Sequence, residues 1–457
     1  MAVFTIEEVV EATGGHLIGT FDKETSFTDV STDTRTIGKG NLFLALEGAN
    51  FDGHAFIDKA REKGAIAALV TEGKEIAGFP CIAVANTLIA YQALARYHRR
   101  RFNIPVVAVT GSSGKTTTKE MIAAVLATKY KVLKTEKNFN NEIGLPKTLL
   151  QLAPDHEACV VEMGMRGLGQ IKELADIAEP TIGVVTNVGT SHIELLGSQD
   201  KIADAKAELV EAIGAEGTVI LNADDKRVCA MKERTQARPI FYGLQGKEAT
   251  VYASNLRYKK DGIKFSCRNF DDVFDVFLPM IGEHNVYDAL AAIAVGRVLR
   301  VPDYKISKGL GSFTGMPMRQ ELLTLGDIVV FNDAYNANPS SMAESIKALG
   351  QLDSKRKIAM LGDMLELGDF TKEGHRQVGE LLGKEGYDAV FTFGQASKEI
   401  SLAARTVGVP IVKHCDSQLD MVDAYMSIHQ AGDCLLIKGS RGLRMERLID
   451  ELREGLV

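Results

Sequence analysis

The stretch VVAVTGSSGKTTTKEM, Val106 to Met121, restricts the chain more than any other. An apolar run, a Gly-Ser turn and a helix opened by Lys-Thr-Thr-Thr follow in the order that a phosphate-holding loop requires. Glycines let backbone N–H groups approach phosphate oxygens, and a helix N-terminus adds its dipole. A lysine meets the β/γ charge, and a hydroxyl serves Mg²⁺. Gly111, Gly114, Lys115 and Thr116 supply these parts, with Thr110, Ser112, Ser113 and Thr117 around them. The match to GxxxxGK[ST] is imperfect, because Val109 stands where the first glycine should be. Such a loop joins a strand to a helix, so parallel strands with helical crossovers are expected around it.

At 457 residues the chain is too long for one core, and two to four domains are expected. Up to about residue 85 short strands and helices alternate; GNLFLALEG has the apolar density of a buried strand. A helical stretch, TLIAYQALARYHRRRF, leads to Pro105, so the first boundary falls between 85 and 104 and is set at 95. The next region, 96–313, has strand signals at 106–110, 158–163 and 182–187 separated by helical patterns. From 250 to 280 it turns to short alternating stretches around Asp261-Gly262, which is hairpin chemistry and predicts an antiparallel addition. EHNVYDALAAIAVGRVLR closes the region as a helix. In 314–457, DIVVFND, KIAMLGD, DAVFTFG, VPIVKH and DCLLIKG are strands, each followed by a helical segment. This is a doubly wound, Rossmann-like domain, but without GxGxxG it carries no sign of dinucleotide binding.

Several function classes are excluded by composition. Sixty acidic against 53 basic residues give a net charge of −7, which does not suit nucleic acid or an anionic membrane as main partner. No apolar run approaches the roughly 20 residues of a membrane span. The N-terminus is acidic and amphipathic, unlike a signal peptide. Six scattered cysteines read as reduced core residues of a cytoplasmic protein.

Glu162 ends an apolar strand, beside the crevice where an acid can hold Mg²⁺; a solvated strand-end acid is the plainer alternative. His192, in TNVGTSHIELLGS, follows another strand, and Lys206 would by default be a solvated helix lysine. KNFNNEIGLP concentrates Asn and Gly before a helix and reads equally as a capped loop or a ligand loop. In FNDAYNANPSSM, Asn338 caps a helix with Pro339 behind it. Asp363, Glu366 and His375 at one strand end, and Lys438 and Arg441 at the next, offer opposite charges suited to a zwitterion.

Together these stretches resemble the Mur ligases, ATP-dependent amide-forming enzymes of peptidoglycan synthesis. The resemblance runs through STDTRTIGKGNLFLALEGANFDGH, TGSSGKTTTKE, NFNNEIGLP, EMGMRGLGQI, TNVGTSHIE, AKAEL, LNADD, GEHNVYDALAA, MRQE, NDAYNANP, LGDMLELG and KGSRG. GxxGKT is that family's loop, which accounts for Val109. It implies three α/β domains: a small UDP-sugar-binding domain, a central P-loop ATPase domain with a parallel sheet and an antiparallel addition, and a C-terminal Rossmann-like domain.

It also implies roles. Thr110 to Thr117 would hold ATP phosphates; Thr116 and Glu162 would bind one Mg²⁺, and His192 and a carbamylated Lys206 a second. Asn285 would meet the adenine, Arg319 the phosphates and Asp333 the ribose, with Tyr335 and Asn336 bordering the nucleotide. Ser31, Thr32, Asp33, Arg35, Asn50, Asp52, Gly53 and His54 would hold the UDP-sugar, and Asn140 and Asn141 the muramoyl-peptide. NDAYNANPSSM and LGDMLELG look like the member that adds D-alanyl-D-alanine to UDP-MurNAc-tripeptide, with Asp363, Glu366, Lys438 and Arg441 at the dipeptide. The expected enzyme is monomeric, with small-molecule substrates. A P-loop switch and a folylpolyglutamate-type ligase remain as alternatives.

Overall fold

The computed structural model describes residues 2–22, 24–48, 51–245, 248–259, 261–352 and 354–456. Asn50, expected at the sugar nucleotide, lies outside them. Three large sheets carry the chain. The first orders its strands His16–Ile18, Cys81–Val84, Ala67–Thr71, Leu42–Leu44, Val30–Ser31, all parallel except the first. Leu42–Leu44 is buried at every position, which explains why GNLFLALEG reads as a dense apolar run, and Cys81–Val84 is buried throughout as well.

The central sheet has nine strands. Its order is Val132–Lys134, Ala158–Glu162, Val106–Thr110, Ile182–Val185, Thr218–Asn222, Arg238–Gly243, Val251–Lys259, Gly262–Asn269, Asp272–Leu278. The first seven pair in parallel and the last two are antiparallel, the expected addition with its turn at Asp261-Gly262. The helix Glu283–Val298 is rich in alanine and buried nearly all round. Its small side chains let it pack closely on the helix Lys115–Ala127, which brings residues 285 and 288 to the phosphate loop.

The C-terminal sheet is ordered Glu321–Leu325, Ile328–Asn332, Asp433–Lys438, Arg356–Gly362, Ala389–Phe393, Ile411–Cys415. The five expected strands are parallel. Glu321–Leu325, which the sequence reading missed, is an antiparallel edge strand whose half-exposed alternation hides it among loop residues.

The expected boundary at 95/96 falls inside one continuous helix, Thr87–Arg100, capped by Asn86. This helix serves two cores at once. Tyr91 and Leu94 join an apolar cluster that runs from Phe4 and Val9 to Leu145, Leu149 and Leu174, so the first and central domains share their packing. The 313/314 boundary lies in the loop between the helix Asp303–Gly311 and the edge strand. All six cysteines are free and five are buried. No described helix is long and apolar enough to cross a membrane.

Candidate active site

The strand Val106–Thr110 lies between Ala158–Glu162 and Ile182–Val185, where successive crossovers diverge to opposite sides. A crevice opens beyond strand ends at such a point. The loop that follows needs both glycines. Gly111 has φ 151° and Gly114 φ 79°; a Cβ would lie 1.8 Å from Thr186 Oγ1 at the first and 2.6 Å from Asp288 Oδ1 at the second. Asn187 shapes the turn: its carbonyl accepts from Ser112 N–H (3.0 Å) and its Oδ1 from Ser113 N–H (2.9 Å). The first-turn N–H groups of the helix from Lys115 have no intrahelical acceptor and point to the cleft. Lys115 folds back, with Nζ donating to Gly111 O at 2.7 Å. The buried hydroxyls of Ser112 and Ser113 have no partner among the described residues.

Glu162 ends its strand as expected. Oε1 accepts from Asn140 Nδ2 at 2.7 Å, while Oε2 is buried with no partner among the described residues. A buried, orphaned carboxylate oxygen in a cleft that Thr116 also lines suits a hard cation such as Mg²⁺. Lys206 is 2% exposed and lines the same cleft, and no carboxylate among the described residues acts on its charge. Burial, with the Lys115 charge adding to it, pushes its pKa well below the ordinary lysine range, toward the neutral amine. His192 also lines the cleft, in a left-handed conformation (φ 63°), and burial lowers its pKa.

The C-terminal domain supplies the opposite wall. Arg319 stacks over Tyr335, 4.0 Å from the ring centre. Asp333 pairs with Lys438 and accepts from Ser345 Oγ at 2.6 Å and Gln320 N–H at 3.2 Å. Asn285 donates through Nδ2 to Ile281 O (2.7 Å) and Gln320 Oε1 (2.6 Å). Thr110 to Thr117, Asn140, Asn141, Glu162, His192, Lys206, Asn285, Arg319, Asp333, Tyr335, Asn336 and Lys438 all line one cleft of ≈ 870 Å³.

The four residues expected at the dipeptide do not gather into one pocket. Lys438 sits on the Asp333 side, its ammonium also donating to Asn336 O at 3.1 Å. Asp363 is buried within its own domain, where it accepts from Ser397 N–H at 2.7 Å. Arg441 pairs with Glu446 at 2.8 Å. Glu366 faces His192 and Arg166 of the central domain. The N-terminal candidates are also apart from the cleft. Asp33 is bound by Arg35, whose guanidinium holds the carboxyl down to about 2. His54 has Nδ1 2.6 Å from Asp52 Oδ1, and its Nε2 accepts from Thr71 N–H at 3.0 Å, so both nitrogens are used within the domain.

A second hollow of ≈ 470 Å³ adjoins the cleft and shares Ser113, Gly114, His284, Asp288 and Glu344 with it. Sequence reasoning passed over Asp288 and Glu344. Asp288 accepts from Thr118 Oγ1 at 2.7 Å, and burial pushes its pKa up to about 8. The available signal was spacing: three residues after Asn285 is the same helical face.

Three family models match the chain: the Mur ligase middle domain over 109–296, the Mur ligase glutamate ligase domain over 318–441, and the Mur ligase family catalytic domain over 26–125. A UDP-N-acetylmuramoyl-tripeptide–D-alanyl-D-alanine ligase of Synechocystis sp. is 41% identical over 93% of this chain and 91% of its own. MurF from Acinetobacter baumannii superposes with TM-score 0.92 at 30% identity, covering 99% of both chains. MurF ligase from Thermotoga maritima in complex with ADP gives TM-score 0.85 at 29% identity, covering 94% of this chain and 97% of that one.

Proposed function

The chain belongs to the Mur ligase family, and on that premise we propose that it is the ATP-dependent ligase joining D-alanyl-D-alanine to UDP-N-acetylmuramoyl-tripeptide. The folylpolyglutamate-type alternative fits less well, since relatives at 41%, 36% and 32% identity spanning nearly the whole chain are all dipeptide-adding ligases.

A carboxylate does not condense with an amine near pH 7, because its leaving group is too poor. The tripeptide's terminal carboxylate attacks the γ-phosphorus of ATP, the bond to the bridging oxygen breaks, and ADP leaves. The amine of D-alanyl-D-alanine then attacks the acyl phosphate, loses a proton, and phosphate departs from the tetrahedral intermediate. The products are UDP-MurNAc-pentapeptide, ADP and phosphate. Two anions meet in the first step, so fixed positive charge is the main requirement. Lys115 leaves the Gly111 carbonyl for the phosphates, and Arg319, held over the Tyr335 ring, approaches from the other wall. The helix N–H groups from Lys115 to Thr117 take the β-phosphate oxygens.

Mg²⁺, when bound, neutralises phosphate charge and aligns the reacting oxygens. Thr116 and Glu162 would hold one ion; His192 and Lys206 would serve a second, for which the neutral Lys206 amine would add CO₂ and release a proton to give a carbamate oxygen donor. Asp333 receives the ribose, the smaller hollow beside Gly114 takes the base, and Asn285 meets the adenine from the adjoining cleft that it lines with Gln320. Residues 1–95 bind the UDP-sugar through Ser31–Arg35 and Asp52–His54, residues 96–313 bind ATP, and residues 314–457 close over both. Asn140 and Asn141 meet the muramoyl-peptide. The enzyme works as a monomer in the cytoplasm.

The observation that carries this reading is the orphaned Glu162 oxygen in a cleft walled by the phosphate loop and by Arg319. The test is incubation with ATP, Mg²⁺, D-alanyl-D-alanine and UDP-tripeptide containing lysine or diaminopimelate, with mass detection of the pentapeptide. Nucleotide binding with no joined product from either tripeptide would favour the switch and overturn the ligase.

A further inference from the structure

The loop between the strand Arg356–Gly362 and the helix Thr371–Lys384 leaves the C-terminal sheet and reaches the central domain. Its anchors are specific. His375 donates from Nδ1 to Thr371 O (2.7 Å), so its Nε2 is an acceptor, and Met364 N–H donates to it at 2.9 Å. Leu365 N–H donates to Ser440 Oγ at 2.9 Å. Further on, Gly368 lies against the helix Ile193–Leu196, where an added Cβ would come within 3.1 Å of Glu194 Cβ. Between these anchors Glu366 adopts φ 61°, a conformation that side-chain-bearing residues rarely take. This aims its carboxylate across the domain junction, with Oε2 3.0 Å from His192 Nδ1 and Oε1 3.7 Å from Arg166 Nη2. The His192 contact is at ion-pair distance, off the hydrogen-bond axis. One carboxylate of the C-terminal domain thus faces two basic side chains of the central domain.

We infer that Glu366 is a positioning residue for His192: its carboxylate, at ion-pair distance from Nδ1, turns onto that nitrogen as the C-terminal domain closes and leaves Nε2 to the metal, so the second metal position is complete only in the closed arrangement. The inference rests on the reading of His192 as a metal ligand. An imidazole ligand needs its other nitrogen tied, because that bond sets the tautomer and the ring orientation. Arg166 sets a second positive charge against the same carboxylate across the junction. The arrangement ties domain closure to metal binding, and the coupling is reciprocal. It also removes Glu366 from the dipeptide pocket, since its oxygens already face two partners of the central domain.

The test uses the full-length protein with a non-hydrolysable ATP analogue, titrated with Mn²⁺ and followed by electron paramagnetic resonance. The wild type takes up two ions, and His192→Ala loses the weaker one. In Glu366→Gln the weaker site's Kd rises about 10- to 100-fold, Glu366→Asp recovers part of the loss, and the KM for D-alanyl-D-alanine stays within about twofold. Unchanged Mn²⁺ affinity in Glu366→Gln, alongside loss of an ion in His192→Ala, overturns the positioning role alone. Retention of both ions by His192→Ala overturns the metal assignment beneath it. A raised KM for the dipeptide with intact Mn²⁺ binding returns Glu366 to the dipeptide pocket.

Discussion

Replacing Asp288 by Asn tests whether the carboxyl wedged under the phosphate loop carries a proton. Asp288 is 6% exposed. Its Oδ1 accepts from Thr118 Oγ1 at 2.7 Å and would lie 2.6 Å from a Cβ at Gly114. Burial is the largest influence on it and raises its pKa from 3.8 to about 8; nearby Glu344 adds to the rise, while the Thr118 bond and Arg319 oppose it. The folded value lies above the unfolded one, so the folded chain keeps a proton that the unfolded chain releases above about pH 4. The associated stability is full below the unfolded value, is lost as pH rises toward 8, and levels off beyond. At about 1.36 kcal/mol per pH unit, the loss between about pH 5 and about pH 8 reaches at most about 4 kcal/mol. Asn keeps the shape and the acceptor but cannot ionise. Urea unfolding of the ligand-free wild type and Asp288→Asn, followed by circular dichroism across that range, measures the difference. The variant should gain on the wild type by up to that amount toward pH 8. Parallel stability–pH curves for the two proteins would refute the reasoning.

Gly114→Ala places a methyl against Asp288 in a left-handed turn and should cost about 2 kcal/mol in thermal unfolding and raise the KM for ATP. Unchanged melting would show that the loop can shift. Lys115→Ala should lower kcat for ADP release by about 10³-fold while UDP-tripeptide binding, measured by calorimetry, stays within about twofold. Lys206→Ala should lose activity and regain part of it with added short carboxylic acids; an unimpaired variant would exclude a carbamate at this position.

The phosphate loop, the parallel strands around it and the Asn338-Pro339 helix start were legible because each is a local matter. A left-handed glycine, an unbroken apolar strand and a side chain that caps its own helix all act within a few residues. The edge strand Glu321–Leu325 was not legible, since half-exposed alternation over five residues resembles a loop. Nor was the role of the helix Thr87–Arg100, because a helix apolar on two sides does not say which two cores it joins.

The candidate site divides in the same way. Gly111, Lys115, Thr116 and Glu162 are readable from their own neighbourhoods. The placing of Lys438 beside Asp333, of Asp288 under Gly114 and of Glu366 opposite His192 is not. Each of those pairs joins residues more than a hundred positions apart, across helix packing or a domain junction. The sequence by itself determined where the backbone turns and which residue types stand at strand ends. Only the tertiary structure decided which of those charges meet, because partner choice depends on how buried faces stack, and periodicity records that a face is buried without recording against what.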